Sequence, residues 1–190
     1  MKTLLVNLYS GAGCGKSTLA AAIFAHLKFQ GFLCEMALEY AKDKVWEKSA
    51  HLLSNQIYIF GEQHHRITRL VGQVPIVVTD SPLLHSIIYD SGQNPHFAPM
   101  VLAEHRKYHN LNIFLDRVKP YEPAGRNQTE EQAREIDGKI IDLLLRLSED
   151  SEEYTVDTFF SFPATPESVP KIAGMAMEMW KEMNTPFRTE

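Results

Sequence analysis

Residues 8–20 read LYSGAGCGKSTLA and place three glycines, a lysine and three serine or threonine hydroxyls between apolar segments. Residues 15–17 match the end of the phosphate-binding pattern G-x-x-x-x-G-K-[ST], while Ser10 stands where the pattern has its first glycine. The apolar run 3–9 predicts a strand before the loop, and the alanine-rich stretch 17–30 predicts a helix after it. In that context backbone N–H groups and the helix dipole attract phosphate oxygens. The stretch therefore predicts a nucleoside triphosphate site.

The residues of this loop have separate expected roles. Gly11 and Gly13 allow the tight turn that points N–H groups inward. We expect Lys16 to bridge the β- and γ-phosphates and Ser17 to give a hydroxyl ligand to Mg²⁺, with Thr18 at the α-phosphate. The predicted nucleotide-binding residues are Gly11, Ala12, Gly13, Cys14, Gly15, Lys16, Ser17 and Thr18. The alternative, a glycine turn that merely ends a strand, does not explain lysine and serine at this spacing.

Composition predicts a single globular domain over 1–190, because 44% apolar residues suffice for a core and 23% charged residues are ordinary. There are two cysteines, and Cys14 lies inside the loop, which argues against a disulfide framework and favours a reducing cytoplasm.

The run 3–9 is too short for a signal peptide, and no later run reaches membrane-spanning length. A net charge of -5 argues against a broad surface for nonspecific nucleic-acid binding, but leaves a local basic patch open.

Strands and helices alternate along the chain. The further predicted strands are 32–38, 74–79, 111–115 and 154–157, and the further predicted helices are 40–53, 55–71, 100–108, 129–147, one beginning at Pro82 and one opened by residues 165–167. This order predicts an α/β fold in three layers, with a five-stranded, mostly parallel sheet flanked by helices. In such sheets ligands bind beyond the carboxyl ends of the strands, where the loop and the residues discussed next are expected.

Two carboxylates follow predicted strands. Asp80 comes directly after 74–79 and is expected to orient a Mg²⁺-bound water, or alternatively to cap the helix that begins at Pro82. Glu39 comes directly after 32–38. Phosphoryl transfer to an alcohol requires removal of a proton, whereas a phosphate acceptor needs no base. Glu39 therefore favours an alcohol acceptor, with a solvated helix cap or an ion pair as the alternative.

A predicted lid loop, approximately 117–128, contains Arg117 and Arg126 among prolines and a glycine. A closing lid would bring these cations to the charge that develops on the transferred phosphoryl group. Two solvated surface arginines are the alternative interpretation. The predicted catalytic residues are Lys16, Glu39, Asp80, Arg117 and Arg126, and the predicted metal ligands are Ser17 and Asp80.

A cationic helix face is predicted at Arg66 and Arg69, which are three residues apart and therefore lie on one side of 55–71. Nearby aromatic residues could stack on a base or could equally belong to the core; these are Tyr40, Tyr58 and Phe60. The histidines show no metal-ligand spacing. Arg66 and Arg69 are the candidates for contacts to a nucleic-acid strand.

Five segments together carry a resemblance to a known family. They are SGAGCGKST (10–18), LEYAKDKVWE (38–47), NQIYIFGEQHHR (55–66), TDSPLL (79–84) and FLDRVKPYEPAGRNQTEEQAREID (114–137). With them the chain resembles P-loop kinases of the nucleoside-kinase-like group, and more narrowly a family from tailed bacteriophages similar to 5-hydroxymethyl-deoxyuridine DNA kinases. The resemblance implies a P-loop NTPase/kinase fold with a lid.

This resemblance implies ATP- and Mg²⁺-dependent transfer of the γ-phosphoryl group to the hydroxymethyl group of 5-hydroxymethyluracil in phage DNA, inside the host cytoplasm. Modified DNA is then the expected partner. One alternative is a small-molecule kinase acting on a nucleoside, ribosylnicotinamide or a nucleotide. Another is an NTP-driven switch or ATPase, but the sequence has no guanine-reading N-K-x-D segment, and a serine follows Asp80 where many ATPases place glutamate.

Overall fold

A parallel five-stranded sheet forms the centre of the protein, for which a computed structural model describes residues 1–121, 129–150 and 158–185. Its strands are β1 (Leu4–Tyr9), β2 (Cys34–Ala37), β3 (Ile76–Thr79), β4 (His109–Asp116) and β5 (Phe159–Pro163). They are arranged in the order β2-β3-β1-β4-β5, and each neighbouring pair is parallel. The α/β fold with a five-stranded parallel sheet, expected from the alternating pattern, is confirmed.

Helices cover both faces of the sheet. They are α1 (Lys16–Phe29), α2 (Tyr40–Trp46), a 3₁₀ helix (Ala50–Ser54), α3 (Gln56–Thr68), α4 (His85–Tyr89), α5 (Phe97–His105), α6 (Glu130–Asp150) and α7 (Ser168–Asn184). The side chains of β1 point alternately to the two faces of the sheet. Leu4, Val6 and Leu8 pack with α1 and α7, whereas Leu5 and Tyr9 pack with α3, α5 and α6. The full burial of β1 explains its largely apolar sequence, and its buried Asn7 donates to Asn110 and Asn112 on β4.

Several predicted boundaries are wrong by a few residues. The helix expected over 40–53 ends at Trp46 and gives way to the 3₁₀ helix, because the chain turns at Lys48 with a left-handed φ of 58°. The helix expected to begin at Pro82 begins at His85, whose N–H donates to the Pro82 carbonyl in the intervening turn. The helix expected over 100–108 lies three residues earlier, at Phe97–His105.

Two sequence predictions lie outside the described residues. They are Arg126, together with residues 122–128 of the lid, and the strand at 154–157; the fifth strand of the sheet is Phe159–Pro163. Within the described ranges, no helix is both long enough and apolar enough to cross a membrane.

Candidate active site

The phosphate loop, residues 10–18, connects the end of β1 to the first turn of α1. Gly13 and Gly15 have φ values of 79° and 109°, which glycine adopts readily and other residues rarely do. Gly11 serves a different purpose from the turn expected of it: a Cβ atom there would clash with the backbone carbonyl oxygen of Ala133 on α6. The glycines therefore provide both the curvature of the loop and the close approach of α6.

The Lys16 side chain folds back over the loop. Its Nζ donates to the carbonyl oxygens of Ser10 at 2.6 Å and Gly11 at 3.0 Å. Burial lowers the pKa of Lys16, while the negative charges of Glu39 and Asp80 act in the opposite direction. The ammonium group thus lies within the electrostatic reach of both predicted catalytic carboxylates.

Glu39 and Asp80 lie side by side because they follow the neighbouring strands β2 and β3. The Asp80 carboxylate accepts a hydrogen bond from the Glu39 backbone N–H at 3.0 Å, and Asp80 is 2% exposed. Burial raises the pKa of the Glu39 carboxyl; Lys16 opposes this rise and Asp80 adds to it. A carboxyl with a raised pKa beside a phosphate loop has the properties of a general base.

A crevice of about 400 Å³ opens beside these groups. At one end its lining includes Lys16, Ser17 and Thr18 of the phosphate loop, and Glu39 lines it as well. The structure therefore brings Lys16, Ser17 and Glu39 to one cavity, as the carboxyl-edge argument predicts. Asp80 lies next to this cavity through its bond to Glu39, and its neighbour Ser81 is in the lining.

Arg117 is directed toward the phosphate loop but is held by Asp137 of α6. Its guanidinium pairs with one carboxylate oxygen of Asp137 at 2.9 Å and donates to the Ala12 carbonyl at 2.9 Å; the side chain is 4% exposed. The other oxygen of Asp137 accepts from the Gly11 N–H at 2.5 Å and from the Ser10 hydroxyl at 3.1 Å. Arg117 is thus part of a buried network around the loop rather than a solvated surface arginine.

Residues of α2, α3 and α4 also line the crevice. Gln63 and His85 contribute polar side chains there and are 3% and 7% exposed. The Gln63 Oε1 atom accepts from the Tyr40 backbone N–H at 2.9 Å, and the His85 ring lies edge-to-face against Tyr9, with centroids 5.4 Å apart. Apolar and aromatic lining residues surround them: Ala41, Val45, Trp46, Leu53, Ile59 and Tyr89.

Comparison with known proteins agrees with this architecture. Residues 5–155 match the family model AAA_28, described as an AAA domain. The chain belongs to the AAA_28 family. A solved structure of the NadR protein in complex with NR matches with a TM-score of 0.69 at 12% sequence identity, over 99% of this chain and 54% of the NadR chain. The AAA_28 chain thus spans about half the length of that protein. A search of the curated proteins finds no match.

These matches support a P-loop kinase-like fold for the AAA_28 domain. The narrower resemblance to bacteriophage DNA kinases stays a prediction.

The cationic face predicted on α3 of the AAA_28 domain is occupied by contacts within the chain. Arg66 pairs with Asp43 at 2.5 Å and donates to the Leu38 carbonyl at 3.2 Å, which ties α3 to the start of α2. The Arg69 side chain donates to the Arg66 carbonyl at 3.4 Å. Tyr40 and Phe60 are buried at 7% and 6% exposure, which favours the core interpretation for these two, whereas Tyr58 is half-buried.

Sequence reasoning missed Asp137, Gln63 and His85 in the AAA_28 domain. A signal for Asp137 is its position beside Ile136 and one helical turn from Ala133, both buried, since an acidic residue next to an apolar helix face calls for a partner. Gln63 and His85 carry no spacing signal. In the described part of the chain, no group of three or more His, Cys, Asp or Glu side chains could hold a metal ion.

Proposed function

We propose that the protein is a magnesium-dependent kinase that transfers the γ-phosphoryl group of ATP to a hydroxyl group of a small nucleoside-type acceptor. One observation carries this proposal: Lys16 of the phosphate loop and Glu39 line the same crevice, which the buried polar side chains of Gln63 and His85 also line. A protein that only hydrolyses ATP needs no enclosed second subsite. The fold neighbour NadR, a structure that contains NR, is consistent with an acceptor of this size.

Residues of this chain suit the first half of the reaction, which is the binding of the ATP phosphates and Mg²⁺. Lys16 is half-buried and cationic, and it stabilises negative charge on the phosphate oxygens when it leaves the loop carbonyls. Ser17 and Asp80 offer only oxygen donors, which is the ligand chemistry that Mg²⁺ prefers beside phosphates. They are the residues proposed to hold the ion, which when bound neutralises charge on the β- and γ-phosphates.

Glu39 acts in the second half of the reaction, which is the transfer of the phosphoryl group to the acceptor. Its carboxylate removes the proton from the acceptor hydroxyl as the acceptor oxygen bonds to the γ-phosphorus. The bond between the γ-phosphorus and the bridging oxygen breaks, and ADP leaves with that electron pair. Arg117 donates a hydrogen bond to the Ala12 carbonyl of the phosphate loop. Its positive charge beside the loop is proposed to stabilise the negative charge of the phosphates. The proposed nucleotide contacts are those of residues 11–18.

A hydroxymethyl group in DNA stays the alternative acceptor predicted from the sequence. The geometry gives it less support than a free nucleoside, because Arg66, the expected strand contact, is paired with Asp43. A duplex base would in addition have to leave the stack to reach Glu39. The crevice of about 400 Å³ has the volume of a small-molecule site.

The test is phosphoryl transfer from γ-labelled ATP with Mg²⁺ to a panel of acceptors, with products identified by mass spectrometry. The panel contains uridine, 5-hydroxymethyl-deoxyuridine, ribosylnicotinamide, nucleoside monophosphates, and DNA with and without 5-hydroxymethyluracil. We expect labelled nucleotide from a free nucleoside, and a Lys16→Ala control slowed by about 10²- to 10³-fold. Label that enters only DNA, or ATP hydrolysis at an unchanged rate without acceptor, would overturn the proposal.

A further inference from the structure

Among the described residues, two side chains that line the crevice each carry a buried polar atom without a hydrogen-bond partner. Across the described residues, such atoms include the Nε2 of Gln63 and the Nε2 of His85, and both side chains line the cavity next to Glu39. Buried polar groups in proteins are almost always hydrogen-bonded, since an unpaired one keeps the full desolvation cost. Two such atoms in one cavity indicate partners that arrive with a ligand.

The chemistry that Gln63 requires follows from its orientation. Its Oε1 accepts from the Tyr40 backbone N–H at 2.9 Å, so its amide NH₂ is the group left without a partner. An amide nitrogen only donates. Its partner must therefore be an acceptor, such as a carbonyl oxygen, and an amino group in the same place would meet it donor to donor.

His85 requires a neutral, adaptable partner. Burial lowers its pKa well below 6.5, and the positive charge of Lys16 lowers it further, so the imidazole is uncharged. A neutral imidazole nitrogen either donates or accepts, depending on the tautomer. A hydroxyl group satisfies both tautomers because it can also do either.

The walls around these two atoms suit a flat ring. Val45, Ile59 and Ala41 supply apolar surface, and the aromatic side chains of Trp46 and Tyr89 also line the cavity. Trp46 is 66% exposed and Tyr89 41% exposed, so both have ring surface available to a ligand. Aromatic and aliphatic walls with a few fixed polar groups are typical of sites for heterocyclic ligands.

We infer that Gln63 and His85 determine acceptor specificity: Gln63 Nε2 donates to a carbonyl oxygen of an uncharged heterocycle, and His85 Nε2 bonds a hydroxyl of the same molecule. The acceptor class is therefore a nucleoside whose base carries a carbonyl group, rather than one that presents only amino groups. This inference rests on the proposed function, because it places the acceptor beside Glu39. The Gln63 side chain can only donate to this ligand, because its Oε1 atom already accepts from the Tyr40 backbone N–H.

The experiment measures nucleoside binding by calorimetry to the full chain in the presence of ADP and Mg²⁺. The probes are one matched pair, inosine with adenosine, whose bases differ by a carbonyl or an amino group at the same ring position. The variants are Gln63→Glu, which keeps an oxygen for Tyr40 but removes the donor, Gln63→Met as a neutral second change, and His85→Phe. His105→Phe is the control, because His105 is also buried and does not line the crevice.

For the wild type we expect the carbonyl-bearing member of the pair to bind about tenfold or more tightly than its amino partner, the range expected for an unpaired buried donor. Both Gln63 variants should lose this preference, and His85→Phe should weaken both members of the pair equally. His105→Phe should change neither. The affinity for ATP should be unchanged in all four variants.

Absence of any carbonyl preference in the wild type would overturn the inference, and so would a preference that survives in both Gln63 variants. The proposed function fails separately. If the preference is present but no acceptor is phosphorylated, the kinase proposal is wrong and the recognition site stands. If phosphorylation occurs and the Gln63 variants keep the wild-type ranking, the kinase proposal stands and the recognition site is wrong.

Discussion

The Arg117 guanidinium and the Asp137 carboxylate form a buried ion pair at 2.9 Å, with side-chain exposures of 4% and 16%. The same carboxylate accepts hydrogen bonds from the Gly11 backbone N–H and the Ser10 hydroxyl. Helix α6 thus holds the start of the phosphate loop and the arginine beside it through a single side chain. In this position Asp137 acts on the nucleotide site through its neighbours, as a positioning residue.

Asp137→Asn should destabilise the protein and weaken ATP binding together. The asparagine amide can still accept from Gly11, but it turns an NH₂ group toward Arg117 or leaves that cation unpaired. Removing one partner of a buried pair costs about 3 kcal/mol. Urea unfolding measures the stability loss, and titration of ATP at fixed acceptor measures the expected rise in KM.

The matched control is Glu135→Gln, two residues away on the same helix. Glu135 pairs with Lys139 at 2.7 Å, but both side chains are more than half exposed. Exposed pairs contribute little to stability, because water and salt screen their charges. Equal losses of stability in the two variants would show that burial of the Asp137 pair has no energetic consequence.

Ser10 explains the one departure of the loop from the phosphate-binding pattern. Its hydroxyl donates to Asp137 at 3.1 Å, a contact that glycine cannot make, and Ser10 is 1% exposed. Ser10→Ala should cost about 1 kcal/mol of stability. In a double-mutant cycle with Asp137→Ala the two losses should not add, because both variants remove the same bond. Additive losses would mean that the hydroxyl stabilises the loop independently of α6.

The close approach of α6 can be tested at two glycines. Gly11→Ala would drive a Cβ atom into the Ala133 carbonyl, so α6 must move away from the loop and ATP binding should be lost. Gly138→Ala, within α6, places its Cβ where no atom of the described residues lies within 4 Å. It should instead stabilise the helix by about 0.5 to 1 kcal/mol. Thermal unfolding and ATP titration of the two variants check these opposite outcomes.

The fold was readable from sequence because it depends on local patterns. The buried strands β1 and β3 are mostly apolar, and Gly31, with φ of 75°, follows the end of α1 as expected. The site residues Lys16 and Glu39 were readable for the same reason, since the carboxyl ends of parallel strands converge. The end of the helix near Lys48 was predicted wrongly because a lysine gives no sequence signal for a left-handed turn.

The rest of the site could not be predicted because it depends on packing between distant segments. Asp137 meets Ser10 across 127 positions of sequence, and Gln63 meets the Tyr40 backbone only when α3 packs against α2. His85 lies in a turn of helix too short to show periodicity. What makes Gln63 and His85 informative is the missing partner of each Nε2 atom, and a hydrogen bond that is absent leaves no trace in the sequence.

Glu39→Gln provides the sharpest test of the chemistry. Removing the base should lower kcat by about a hundredfold, because a positioned general base contributes at least that much. ATP binding should be nearly unchanged. Glu35→Gln on β2 is the control, since Glu35 forms a partly exposed pair with Lys28 at 3.3 Å, away from the crevice. Equal kcat in wild type and Glu39→Gln would remove the case for a base at this position.

The pH dependence of Glu39→Gln separates the base from a structural role. Burial raises the pKa of Glu39 above the ordinary value of 4.5, so activity of the wild type should rise with pH through that raised pKa, and the variant should lack this acid limb.

The stability of the wild type should change with pH in the opposite direction, falling as pH rises. The folded state binds the Glu39 proton more tightly than the unfolded state, so ionisation between the two pKa values costs the wild type stability. Thermal unfolding should therefore place the variant above the wild type at pH 7, and the two should converge below pH 4.5. A variant that melts below the wild type at pH 7 would contradict the assignment of Glu39 as a carboxylate whose charge is disfavoured by folding.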